Sequence, residues 1–174
     1  MSLMNTYTLA NGVKIPVLGF GTWQTPAGKT ATDSVLAALD AGFTHIDTAE
    51  MYGNEKSIGQ AVKASGIARN DLFITSKLDN QAHTYELATQ ALDRSLSDLE
   101  TDYLDLFLIH WPNPKAFRDQ DWKKHLQETW RALEDAYKAG KVRAIGVSNF
   151  KPKHLEILAE TQTIQPMVDQ IRIC

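Results

Sequence analysis

The stretch FTHIDTAEMYGNE, residues Phe43 to Glu55, sets an acidic strand end beside a phenol. The run THID predicts a short buried strand that ends in Asp47, and Tyr52 follows five positions later. A helical pattern begins directly afterwards. A buried strand followed by a helix is the repeating unit of parallel sheets, because parallel neighbours need a crossover of helix length. The ends of the other strands therefore decide what this carboxylate and this phenol can do.

The order of strand and helix repeats along the chain. Six runs are typical of strands: VLGFG, THID, LFITSK, YLDLFLIH, VRAIGVS and MVDQI. Five helical patterns lie among them, with apolar residues spaced three or four apart, and they include Val35, Ile58, Leu92, Trp130 and Leu158. Gly42, Gly66, Gly140 and Pro152 stand where helix ends are expected. A hairpin from Tyr7 to Ile15, with its turn at Asn11-Gly12, precedes the first unit.

Two α/β architectures fit this order, the open doubly wound sheet and the closed (β/α)8 TIM-type barrel. The doubly wound fold carries a glycine fingerprint for dinucleotides. Here Gly19-Phe20-Gly21 is followed by Gln24 where the third glycine would stand, so the barrel is favoured. No linker or low-complexity segment interrupts the chain, and we expect residues 1–174 to form one domain. Met1 to Leu3 look vector-derived, with Met4 as the native start.

Composition excludes several classes of partner. Of 174 residues, 43% are hydrophobic and 22% are charged, which is typical of a globular domain. A net charge of -3 argues against nucleic acid and against an acidic membrane surface, and no apolar run approaches the roughly 20 residues that span a bilayer. No metal site is predicted. A single cysteine, Cys174, and the lack of a signal peptide predict a cytoplasmic protein.

Polar residues stand at the carboxyl ends of five successive strands. They are Asp47, Lys77, His110, the pair Ser148-Asn149, and Gln170. Singly, each has a structural interpretation: a turn residue, a solvated strand end, a core histidine or a helix cap. Together they place an acid, a base, an imidazole, a hydroxyl and two amides on the rim where barrels carry out catalysis. Buried charges at such a rim are costly unless they pair.

That pairing suggests proton donation to an oxygen. An ammonium near a phenol favours the phenolate and is expected to lower the pKa of Tyr52, while Asp47 keeps Lys77 charged. Tyr52 then serves as the acid, and His110 orients the substrate oxygen. A proton donor of this kind suits carbonyl reduction, in which an alkoxide develops. The hydride must come from a cofactor, because no side chain supplies one.

The motifs resemble those of the aldo-keto reductases, in family order and at family spacing. They are LGFGTWQ, GFTHIDTAEMYGNE, LFITSKL, DYLDLFLIHWP and GKVRAIGVSNF. The resemblance implies a (β/α)8 barrel plugged by the N-terminal hairpin, and a cytoplasmic oxidoreductase acting on a small carbonyl substrate. It implies that Tyr52 is the general acid, tuned by Asp47 and Lys77, and that His110 orients the carbonyl.

The resemblance also assigns residues to the cofactor and the substrate. Ser148, Asn149 and Gln170 would hold the nicotinamide carboxamide of NADPH, with NADH as the possible substitute, and Asp47 lies with them. Thr22 and Trp23 would sit beside the cofactor. Trp23 and Trp111 would line the substrate site together with Tyr52 and His110; rim packing is the alternative for the two tryptophans.

The resemblance breaks off after about six of eight β-α units. Strands seven and eight are absent, and DQIRIC replaces a family pattern that has a histidine near Cys174. Three interpretations stay open: an NADPH-dependent carbonyl reductase whose chain continues beyond Cys174, a non-catalytic cofactor-binding protein on the same fold, and an inactive fragment. A full-length protein would be a monomer, whereas a true fragment would self-associate through its open edges.

Overall fold

The structure, a computed structural model, describes residue 3 and residues 5–172. It begins with the antiparallel pair β1 (Thr6–Thr8) and β2 (Lys14–Pro16). Gly12 turns the chain with a φ of +86°, and the Oδ1 atom of Asn11 accepts a hydrogen bond from the backbone of Val13. The predicted hairpin is therefore confirmed. Met1, Ser2, Met4 and Cys174 lie outside the described residues. The prediction of a vector-derived start before Met4 therefore concerns residues that lie mostly outside the described part of the chain.

Six parallel strands form the main sheet, and their spatial order is their order along the chain. They are β3 (Phe20–Gly21), β4 (His45–Asp47), β5 (Phe73–Leu78), β6 (Leu106–Ile109), β7 (Ile145–Ser148) and β8 (Asp169–Gln170). A doubly wound sheet reverses its strand order at a switch point, whereas a barrel does not. The sequential order therefore identifies the barrel type of sheet. Within the described residues, the outer edges of β3 and β8 have no partner strand.

Helices fill the crossovers between the strands of the main sheet. They are α1 (Lys29–Asp40), α2 (Glu55–Ser65), α3 (Tyr85–Asp98), α4 (Trp122–Lys138) and α5 (Pro152–Ala159). Thr84 and Asp121 cap the amino ends of α3 and α4 with side-chain hydrogen bonds. None of the helices in the described part of the chain is long and apolar enough to cross a membrane.

Two apolar clusters hold the fold together. The larger one packs the helices against the convex face of the sheet, around residues such as Ile74, Phe107 and Trp130. The smaller one lies inside the curved sheet, where Phe73, Leu106, Leu108 and Ala144 meet Leu9, Val13 and Ile15 of the hairpin. The hairpin thus covers the amino ends of the strands, as the plug predicted from the sequence should. The carboxyl ends stay open to solvent.

The strands are shorter than their apolar runs. VLGFG contributes only Phe20 and Gly21 to the ladder, and MVDQI contributes only Asp169 and Gln170. Both are the outermost strands, where a neighbour on one side alone fixes the backbone. The irregular segment from Trp111 to Asp121 includes one short helical turn, Lys115–Phe117.

Candidate active site

One cleft of about 1050 Å³ runs along the concave face of the sheet, from Ile15 and Val17 at the hairpin to the carboxyl ends of the strands. The parallel register sets Gly21 beside Asp47 and Asp47 beside Thr75, so neighbouring strands end at a common rim. Side chains alternate along a strand, and Asp47 therefore faces the concave side two residues beyond His45. Eight predicted site residues line the cleft: Trp23, Asp47, Tyr52, His110, Trp111, Ser148, Asn149 and Gln170. Thr22 and Lys77 lie behind the lining.

Asp47 and Lys77 form an ion pair at the bottom of this rim. Lys77 Nζ donates to Asp47 Oδ1 at 2.5 Å and to the carbonyl oxygen of Thr48 at 2.9 Å. The lysine side chain is only 1% exposed. Burial lowers the pKa of Lys77, and the adjoining carboxylate opposes that effect. Because the other carboxylate oxygen accepts from Gln170 Nε2 at 2.8 Å, β4, β5 and β8 are tied together through Asp47.

Tyr52 lies above this pair, on the helical turn Glu50–Tyr52 that follows β4. Lys77 Nζ is 5.2 Å from the centre of the phenol ring. The ring of His110 meets it edge to face, with centroids 5.8 Å apart and an interplanar angle of 75°. The structure therefore brings together the four residues that the sequence predicted as a catalytic set.

The pKa of Tyr52 corrects the electrostatic expectation from the sequence. Lys77 was expected to lower it, but burial and then the charge of Asp47 raise the pKa of Tyr52 to about 12. The larger cause is burial, which disfavours the charged phenolate, and the negative charge of the nearby Asp47 acts in the same direction. The phenol consequently keeps its proton throughout the neutral range.

His110 is an uncharged imidazole at neutral pH. Burial, followed by the charge of Lys77, lowers its pKa to about 4. Its Nδ1 atom is buried and finds no hydrogen-bond partner among the described residues. A neutral imidazole carries one N–H donor and one acceptor. His110 can therefore orient an oxygen in the cleft but is a poor source of protons.

Ser148, Asn149 and Gln170 form a polar wall at the ends of β7 and β8. Ser148 Oγ donates to the carbonyl oxygen of Gln170 at 2.8 Å, and Asn149 Nδ2 donates to that of His110 at 3.0 Å. Asn149 has a φ of +61°, in the left-handed region that asparagine tolerates better than most residues. This backbone conformation directs the Asn149 amide toward β6, where it bonds to His110. The three side chains of the polar wall thus lie on one side of the cleft.

The predicted residues after β3 lie in different environments. Thr22 is fully buried, and its Oγ1 donates to the carbonyl oxygen of Asp47 at 3.1 Å, so it is absent from the cleft lining. Trp23 and Trp111 are 57% and 46% exposed and stand at the cleft mouth. Thr22 therefore supports the wall of the cleft, whereas the two tryptophans can reach a ligand.

Several residues of the site escaped the sequence analysis. Met51, Ile171 and Arg172 also line the cleft, and Asn54 and Glu55 are buried polar residues directly behind Tyr52. An asparagine and a glutamate before a helix usually indicate an exposed helix start. Nothing in their spacing distinguishes a buried pair from an exposed one.

Comparison with known proteins gives consistent results. The sequence profile of the Aldo/keto reductase family matches residues 17–174. The chain is 48% identical over 170 residues to a protein named glyoxal reductase from Bacillus subtilis, covering 98% of this chain and 58% of the relative. The chain thus spans a little more than half the length of this curated relative.

Solved structures agree with the sequence match. A crystal structure of an aldo/keto reductase from Brucella melitensis superposes with a TM-score of 0.89 at 45% identity, covering 97% of this chain and 63% of that one. An aldo-keto reductase from Bombyx mori in complex with NADP gives a TM-score of 0.86 at 33% identity, covering 99% and 59%.

Proposed function

The chain belongs to the aldo/keto reductase family, and on that premise we propose that the whole protein reduces an aldehyde or ketone to an alcohol, with Tyr52 as the proton donor. The observation that carries the proposal is the cluster at the cleft floor. Tyr52 lies 5.2 Å from the ammonium of Lys77 and 5.8 Å from the imidazole of His110, measured to ring centres. A phenol and a neutral donor that line one cleft, with a buried cation behind the phenol, suit an oxygen that gains negative charge.

The two pKa values support Tyr52, rather than His110, as the acid. His110, with a pKa of about 4, has no spare proton at neutral pH, whereas Tyr52, with a pKa of about 12, is fully protonated. An alkoxide is a stronger base than a phenolate. Transfer of the phenolic proton to the oxygen is therefore favourable once the carbonyl carbon has been reduced, and the alcohol is the product.

Lys77 and Asp47 support this transfer without taking part in it. The ammonium stabilises the phenolate that Tyr52 becomes, and Asp47 keeps the buried lysine charged. His110 donates its single N–H to the carbonyl oxygen and holds it toward the phenol.

The polar wall fits a nicotinamide cofactor. When bound, the reduced nicotinamide supplies the hydride. Its carboxamide both donates and accepts hydrogen bonds, and Ser148, Asn149 and Gln170 offer one hydroxyl and two amides on one side of the cleft. Asp47 belongs to the same set of residues because it accepts a hydrogen bond from Gln170. Trp23 offers a flat apolar surface for the nicotinamide ring. Thr22 contributes through its hydroxyl, which donates to the carbonyl oxygen of Asp47. The Bombyx mori complex supports NADPH as the preferred form.

The cleft mouth points to small carbonyl substrates. Trp23 and Trp111 offer exposed apolar rings at the cleft, and Met51 adds a flexible side chain. The similarity to the Bacillus subtilis glyoxal reductase makes a small aldehyde such as glyoxal the first substrate to test.

The test is consumption of NADPH by the whole purified protein with glyoxal. We expect turnover that depends on both reactants and on Tyr52, measured as loss of the absorbance of the reduced nicotinamide. Tyr85→Phe, which removes a hydroxyl bonded to Asp135 on the outer helices, is the matched control and should retain turnover. A protein that binds NADPH and reduces no aldehyde or ketone would contradict the proposal and favour a non-catalytic binding role.

A further inference from the structure

Asn54 is buried behind the cleft and makes three hydrogen bonds with its side chain. The residue is 1% exposed. Its Nδ2 atom donates to the carbonyl oxygens of Thr22 and Thr25, each at 3.0 Å. Its Oδ1 atom accepts from Thr48 Oγ1, also at 3.0 Å. Both amide protons are used, so the side chain is fixed in one orientation.

These contacts take the place of the helix-capping bond that an asparagine before a helix usually makes. Asn54 immediately precedes α2, where asparagine normally caps free backbone N–H groups of the helix. Here its side chain makes no capping bond and points to the two rim loops instead. The start of α2 has therefore given up a stabilising side-chain cap, and the amide holds the loops instead.

The hydrogen bond between Thr48 and Asn54 links the two ends of the short segment that carries Tyr52. Thr48 directly follows Asp47, and its carbonyl oxygen accepts from Lys77 Nζ at 2.9 Å. Tyr52 lies between the two ends of this closed segment, on the turn Glu50–Tyr52. A shift of Thr48 against Asn54 therefore changes the position of the phenol relative to the ammonium.

The same amide reaches the loop that bears Trp23. Thr22 and Thr25 flank that tryptophan, and the backbone N–H of Thr22 donates to the carbonyl oxygen of Asp47 at 2.9 Å. Asn54 thus joins the acid-bearing segment to the loop at the cleft mouth. Neither Asn54 nor Thr48 lines the cleft, so neither can touch a ligand.

We propose that Asn54, through its bond to Thr48, is a positioning residue that sets the distance of the Tyr52 phenol from Lys77 and His110. The inference rests on the proposed function, since it concerns the alignment of the proton donor. A misplacement of about 1 Å in such a group can cost on the order of 10²-fold in rate. When only the bond to Thr48 is removed, the loss falls on kcat, because the Asn54 amide still donates to Thr22 and Thr25 and keeps the loop with Trp23 in place.

The experiment compares Thr48→Val with Thr129→Val in the whole protein. Both threonines are fully buried and each loses one hydroxyl of a hydrogen bond, but Thr129 bonds within α4 to the carbonyl oxygen of His125. We expect Thr48→Val to lower kcat by about 10- to 100-fold with little change in KM for aldehyde or NADPH. Thr129→Val should leave both unchanged, and Thr48→Ser, which keeps the hydroxyl, should recover most of the loss.

Thermal melts establish that each variant is folded. Should Thr48→Val fail to fold, Thr48→Ala gives the same test, because it removes the same hydroxyl and leaves the bonds from Asn54 to Thr22 and Thr25 intact. An active wild type with equal kcat in Thr48→Val and Thr129→Val would overturn this inference and leave the proposed function standing. A wild type that reduces no carbonyl would overturn the proposed function and this inference with it.

Discussion

Glu55 should make the stability of the protein depend on pH. Its carboxyl group is 4% exposed at the start of α2 and accepts from Ser76 Oγ on β5 at 2.5 Å and from Ser95 Oγ on α3 at 3.1 Å. Burial raises the pKa of Glu55 to about 7, and the two hydroxyls only partly oppose it. Glu55→Gln keeps the shape and the hydrogen-bonding groups but cannot ionise.

The magnitude follows from the difference between the folded and unfolded pKa. The unfolded chain releases this proton near pH 4.5, whereas the folded protein keeps it to about pH 7. The native state therefore has its full stability below the unfolded pKa and loses it as pH rises through the folded one. At about 1.4 kcal/mol per pKa unit, the loss amounts to about 3 kcal/mol. Glu55→Gln avoids that loss.

Urea unfolding followed by circular dichroism measures the effect. We expect wild type and Glu55→Gln to have similar free energies of unfolding at about pH 4.5, and the variant to be more stable by about 3 kcal/mol above about pH 7.5. Glu156→Gln, an exposed change on α5, is the matched control. Parallel stability curves for wild type and Glu55→Gln would exclude this explanation, because Glu55 would then titrate alike in both states.

Three further predictions concern the buried charges and the cofactor. Asp105 is fully buried between Arg69 and Arg143, at 2.8 Å from each, and Asp105→Asn should cost about 3 kcal/mol in urea unfolding; a cost under about 1 kcal/mol would contradict this. Lys77→Met should reduce kcat by about 10²–10³-fold because the phenolate loses its cation, and steady-state kinetics with an unchanged rate would exclude Lys77 from the mechanism. For the cofactor, kcat/KM should be higher with NADPH than with NADH, and the reverse order would disprove the preference.

The rim residues could be predicted because strand ends are visible in the sequence. Each apolar run stops at a polar residue, and parallel strands bring their carboxyl ends to one edge. Asp47, Lys77 and His110 could therefore be grouped before any distance was known. The hairpin was equally clear from the alternation around Asn11 and Gly12.

The burial and the neighbouring charges of each site residue could not be predicted from the sequence. The direction of the Tyr52 pKa shift depends on how deeply the phenol is buried and on how close the charge of Asp47 lies. Asn54 and Glu55 are typical of an ordinary helix start, yet tertiary packing encloses both. The length of the outer strands depended on neighbours that the apolar pattern does not encode.

Tyr52→Phe in the whole protein tests whether Tyr52 donates the proton in carbonyl reduction. The ring keeps its packing against His110 and Lys77, so only the hydroxyl is lost. We predict that kcat for aldehyde reduction falls by about 10²–10⁴-fold while the dissociation constant for NADPH, measured by fluorescence titration, is unchanged. A kcat comparable to that of the wild type would mean that another group donates the proton.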